Sequence, residues 1–173
     1  HGGHEGDAAG VGKGGPQGGG RYSALTACGR VPGALAGADV EALLDDAESV
    51  ADLLAADDEA NPALRLAAAM AGTDPLRDKL VLVDDGTENV GFGAWAEQLI
   101  AESTGKDGTG ILPVVAIGAA PAHLYDDGTV VRLVATHGEG EEIASAASLV
   151  TVAGPLGAQM MLWETATAVA GRL

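Results

Sequence analysis

The sequence predicts an α/β fold, a three-layer α/β/α sandwich on a mainly parallel sheet. Short apolar runs alternate with longer stretches of helical periodicity, which is the pattern of parallel strands joined by crossover helices. Hydrophobic residues make up 47% of the chain but aromatics only 3%. Such a core rests on Leu, Val and Ala with few large anchors, which suits close-packed helices on a small sheet better than a β-sandwich. The 173 residues fit one domain of roughly 100–200 residues.

The elements follow in order. Ten of the first twenty residues, HGGHEGDAAGVGKGGPQGGG, are glycine. Ordering such a stretch loses too much backbone entropy, so residues 1–20 are expected to be disordered. ADVEALLDDAESVADLLAAD, Ala38 to Asp57, is a helix: Val40, Leu43, Leu44, Ala47, Val50, Ala51 and Leu54 follow the 3.6 period, with acids opposite. NPALRLAAAMAG opens with a cap, Asn61, and Pro62 at the first helical position, and Gly72 ends it.

DKLVLVDDG, Asp78 to Gly86, reads as a buried strand closed by a turn. Gly91 to Gly105 is a helix, and GILPVVAIG, Gly110 to Gly118, a second strand. TVVRLVAT, Thr129 to Thr136, is a third strand, EEIASAAS a short helix, and LVTVAG, Leu149 to Gly154, a fourth strand. PLGAQMMLWETATAVAGRL is the final helix.

The net charge of −16 argues against nucleic acid or an anionic membrane as partner, because polyanions repel an acidic surface. A small anionic substrate stays possible, since a few local cations hold one phosphate. The single Cys28 forms no internal disulfide, which points to a reducing, cytoplasmic setting. No apolar run reaches the ~18 residues of a membrane span. The chain opens on His1 and stops at Leu173 just after a helical pattern, so a fragment of a longer protein is expected.

Several motifs dissolve on inspection. GVGKGG lacks the preceding strand and following helix that dinucleotide binding requires. STGKDGTG carries Ile100 and Asp107 where a phosphate loop needs Gly and Ser or Thr. His1 and His4 lack further ligands for a metal, His123 and His137 fall in loops, and the two DDG copies read as turns. Neither metal nor cofactor is implied.

The helix GAWAEQLIAESTG is unusual. Helices commonly end in basic residues, yet here Glu102 faces the negative end of the helix dipole. Gln98 and Glu102 stand one turn apart on one face, while Trp95, Leu99 and Phe92 point elsewhere. Spacing alone favours a solvated polar face, because Glu and Gln are common on surfaces.

Three blocks change that balance. GGRYSALTA (Gly19 to Ala27), AEQLIAESTGK (Ala96 to Lys106) and GPLGAQMMLWETATAVAGRL resemble glucose-6-phosphate isomerase, most nearly its actinobacterial form. The likeness spans most of residues 15–173 and falls on that family's second sugar-isomerase (SIS) domain. It implies residues 21–173 as that domain, truncated at its C-terminus, in an SIS-like sandwich. The implied reaction interconverts glucose 6-phosphate and fructose 6-phosphate through a cis-enediol, within glycolysis and gluconeogenesis.

By this resemblance Glu102, of the Glu-Ser-x-Gly-Lys motif, is the base, and Arg21, of Gly-Gly-Arg-Tyr-Ser, stabilises the enediolate. Gly20 and Gln98 line the substrate site, and His123 is the candidate for ring opening. The chemistry suits these types: a carboxylate can take a carbon-bound proton and return it to the next carbon, and an arginine stays charged beside a transient oxyanion.

The sequence also departs from the family. Cys28 and Arg30 replace an aromatic and an aliphatic residue, and the glycine-rich start replaces a strand. The phosphate loop of the first SIS domain and the late glutamine and lysine have no counterpart. The implied partners are a sugar phosphate, that missing domain, and a second copy in a homodimer. The fragment alone is expected to be inactive. A non-catalytic sugar-phosphate-binding SIS module is the alternative.

Overall fold

The computed structural model describes residues 20–72, 77–106, 108–117, 128–135 and 149–172, with Arg21 by its backbone. A single 3-10 turn, Gly20–Tyr22, leads into α1 (Ala27–Leu35), α2 (Val40–Ala55) and α3 (Pro62–Met70). Then come β1 (Lys79–Asp84), α4 (Phe92–Thr104), β2 (Leu112–Ile117), β3 (Gly128–Val134), β4 (Leu149–Ala153) and α5 (Leu156–Ala170). The glycine-rich residues 1–19, the stretch EEIASAAS, His123 and His137 lie outside the described residues.

The sheet runs β2-β1-β3-β4 and each neighbouring pair is parallel. The expectation was mainly parallel; every strand pair of the described sheet is. Both faces of its centre are closed to solvent: Leu80 and Leu82 on one face of β1 and Val81 and Val83 on the other are all buried. Two covered faces explain why β1 reads as a continuous apolar run with no polar alternation.

On one face α2 to α5 pack with Leu80, Leu82, Val131, Leu133 and Val152 into a single hydrophobic cluster. The one Phe and both Trp of the chain meet in it. The ring of Phe92 lies 5.2 Å from Trp95 and 6.1 Å from Trp163, within the range of favourable tilted and edge-to-face contacts. Trp163 is the largest fully buried side chain, and its indole N–H donates to Gln159 Oε1 at 3.2 Å.

The helix starts have local causes. Asp39 accepts the Ala42 N–H at 3.0 Å and caps α2. Asn61 accepts the N–H groups of Ala63 and Leu64, and its amide donates to the Leu54 and Ala56 carbonyls, both at 2.8 Å. That one side chain ends α2 and begins α3. Helix α5 crosses α2 at Gly157, where a Cβ would run into the Leu43 carbonyl.

Helix α1 has no forerunner in the sequence pattern. ACGRVPGAL carries two glycines and Pro32, poor helix formers in an interior. Thr26 nucleates it by accepting the Cys28 N–H at 3.3 Å. None of its residues is buried.

Candidate functional site

Helix α4 carries the sequence-singled residues, and its roll is set by packing. Phe92, Ala96, Leu99 and Ile100 are buried, a stripe of helical spacing that holds one face against the core. Gln98 and Glu102 fall on the exposed side. The Gln98 amide donates to Glu102 Oε1 at 3.2 Å, the contact that their four-residue spacing allows. No basic residue stands in the last turn of α4.

The 3-10 turn Gly20–Tyr22 packs against this same helix, with Tyr22 against the core cluster. Its shape is held locally. The Ser23 hydroxyl donates to the Gly20 carbonyl at 2.8 Å, and the Thr26 hydroxyl donates to the Ser23 carbonyl at 2.8 Å. The backbones of Gly20 and Arg21 therefore sit beside the helix of Gln98 and Glu102. The Arg21 side chain is outside the described atoms, and His123 is outside the described residues.

Two features escaped the sequence reading. Arg132, buried on β3, donates through Nε to Asp85 Oδ2 at 2.7 Å and pairs with the same oxygen through Nη2. The signal was an arginine inside an apolar strand, whose charge needs a partner. On α5, Glu164 Oε1 is buried without a hydrogen bond, and burial pushes its carboxyl up to about 7. The signal there was one acid in a helix with no other charged residue, LGAQMMLWETATAVA.

Among the described residues no group of three or more His, Cys, Asp or Glu is arranged to hold a metal. No helix among them is long and apolar enough to cross a membrane.

The fold and the helix together define an open parallel α/β domain, flanked by helices, that displays a hydrogen-bonded glutamine–glutamate pair at a helix end. Its sequence is similar to those of curated glucose-6-phosphate isomerases. A probable glucose-6-phosphate isomerase of Haloarcula marismortui is 40% identical over 105 residues, 60% of this chain and 24% of the relative. The glucose-6-phosphate isomerase of Rubrobacter xylanophilus is 38% identical over 121 residues, 65% of this chain and 28% of the relative. That of Lactobacillus helveticus is 41% identical over 104 residues, 55% and 22% respectively. The chain thus spans about a quarter of the length of the curated relatives it matches. No protein-family model matches it.

Proposed function

We propose that this chain carries the proton-transfer centre of a cofactor-free aldose-ketose isomerase that interconverts glucose 6-phosphate and fructose 6-phosphate in the cytoplasm. Residues 21–173 act as its second sugar-isomerase domain. The observation that supports this best is the Gln98–Glu102 pair on α4, with the segment bearing Arg21 packed on the same helix. The similarity to named isomerases supports it from outside the structure.

In this reading Glu102 removes the proton from C2 of the open-chain aldose. The C2–H electrons form the C1–C2 double bond, and the carbonyl electrons move onto O1. The guanidinium of Arg21 offsets that oxyanion while a proton passes from the C2 hydroxyl to O1. The O2 electrons then form the C2 carbonyl, and the double-bond electrons take the proton back from Glu102 at C1. Gln98 orients the carboxylate by its hydrogen bond, and Gly20 keeps backbone close to the sugar. His123 opens the ring. The phosphate is held by a first sugar-isomerase domain of the parent protein, and two copies of that parent form the working dimer. This chain alone is then close to inactive.

Conversion of glucose 6-phosphate to fructose 6-phosphate by the full-length parent, wild type and Glu102→Gln, tests the reading. Loss of a proton-transfer base is expected to lower kcat on the order of 10²–10⁴-fold with substrate still bound in titration calorimetry. Unchanged turnover in E102Q sinks the assignment. Substrate binding with no turnover in the wild type instead marks a non-catalytic sugar-phosphate module. Robust turnover by the isolated 173 residues sinks the expectation of an inactive fragment.

A further inference from the structure

Glu102 stands in the last turn of α4, and last turns fray because their carbonyls lack helical partners. Here that turn is tied to the sheet through one side chain. The Thr104 hydroxyl donates to the Ile100 carbonyl at 2.9 Å and accepts the Ile111 N–H at 3.1 Å. The next residue, Leu112, donates its N–H to the Asp78 carbonyl at 2.7 Å, at the head of β1. One hydroxyl therefore joins the turn bearing Glu102 to the point where β2 enters the sheet.

The chain between folds back on itself. Gly105 N–H donates to the Ala101 carbonyl at 3.0 Å, and Lys106 and Thr109 exchange backbone hydrogen bonds of 3.0 and 2.9 Å. Gly110, at φ +149°, lies so close that a Cβ there would meet Gly105 Cα at 2.7 Å and the Thr104 carbonyl at 3.1 Å. Among the described residues of this loop, the side-chain link across to the start of β2 is Thr104.

We infer that Thr104 is a positioning residue for Glu102, fixing the height and roll of the turn from which the carboxylate works. The inference rests on the reading of Glu102 as the proton-transfer base. A base that serves two adjacent carbons tolerates little displacement, since misplacement by about 1 Å can lower a rate by ~10²-fold. Thr104 touches no substrate atom in this role and acts through the helix. It also occupies the free position of the Glu-Ser-x-Gly-Lys motif, so the motif itself makes no demand for a hydroxyl there.

The test uses the full-length parent. Thr104→Val keeps the shape and removes the hydroxyl; Thr104→Ser keeps both hydrogen bonds. The expected result is a fall in kcat of about tenfold or more for T104V, with KM within about twofold, and near wild-type kcat for T104S. A purely structural role would lower the melting temperature and leave kcat per folded molecule intact, and that result overturns the proposal. Should T104V fail to fold, amide exchange in the wild type decides. An Ile111 amide as protected as those of β2 supports the tie, and one exchanging as fast as Gly108 overturns it. Wild-type protein without isomerase turnover removes the reading of Glu102 itself, whereas an active wild type with an equally active T104V removes only the role of Thr104.

Discussion

Glu164 and Glu102 are two carboxylates on neighbouring helices in opposite surroundings. Glu102 is exposed at the end of α4 with a glutamine amide on one oxygen. Glu164 has one oxygen buried and unbonded, and desolvation raises its carboxyl to about 7. Because that folded-state value lies above the ordinary 4.5, the folded chain binds the proton more readily than the unfolded one. Stability from this group therefore falls as pH rises from about 4.5 to about 7 and stays low above. Replacing Glu164 with Gln is expected to raise the unfolding free energy by about 1 kcal/mol at pH 8, a figure discounted for the group's remaining solvent contact. The gain should shrink towards zero near pH 5. Urea denaturation of both proteins at pH 5 and pH 8 reads this directly, and an equal difference at both pH values contradicts it.

At the scale of elements, the joints between helices depend on single side chains. Asn61 is 2% exposed and serves two carbonyls of the α2 end and two N–H groups of the α3 start. Asn61→Ala removes the cap and leaves buried carbonyls unpaired, so a loss of about 2–3 kcal/mol is expected. Chemical denaturation measures it, and a loss under about 0.5 kcal/mol, the size of an ordinary surface change, excludes the joint as described. Asn61 was legible as a cap because Asn before Pro is a local signal. Its grip on α2 was not, since nothing in NPALRL reports which carbonyls lie within reach. Helix α1 was illegible for the opposite reason: its glycines and Pro32 argue against a helix, although Thr26 caps its start.

The described residues pack around one cluster, and Trp163 is its largest buried member. Its ring meets Phe92 of α4, and its N–H is satisfied by Gln159. Trp163→Ala opens a cavity between α4, α5 and the sheet and is expected to remove about 3–5 kcal/mol. Domains hold only about 5–15 kcal/mol in total, so a large shift of the denaturation midpoint follows, reported alike by circular dichroism and by fluorescence of the remaining Trp95. A midpoint shifted by less than about 1 kcal/mol-equivalent would show that the cluster closes over the gap. On the opposite face Arg132 pairs with Asp85, just past the end of β1; TVVRLV shows that a partner is needed but not which residue supplies it.

The sequence by itself determined the alternation of strands and helices, the mainly parallel sheet, the cap at Asn61, and the side-by-side placing of Gln98 and Glu102. These are properties of neighbours a few residues apart, which periodicity records. Only the tertiary structure brought the turn of Gly20 and Arg21 onto α4, gathered Phe92, Trp95 and Trp163, paired Asp85 with Arg132, and tied Thr104 to Ile111. Most of these join segments far apart in the chain, and the Thr104 tie spans a loop. What settles them is packing and hydrogen-bond satisfaction once the chain has closed on itself.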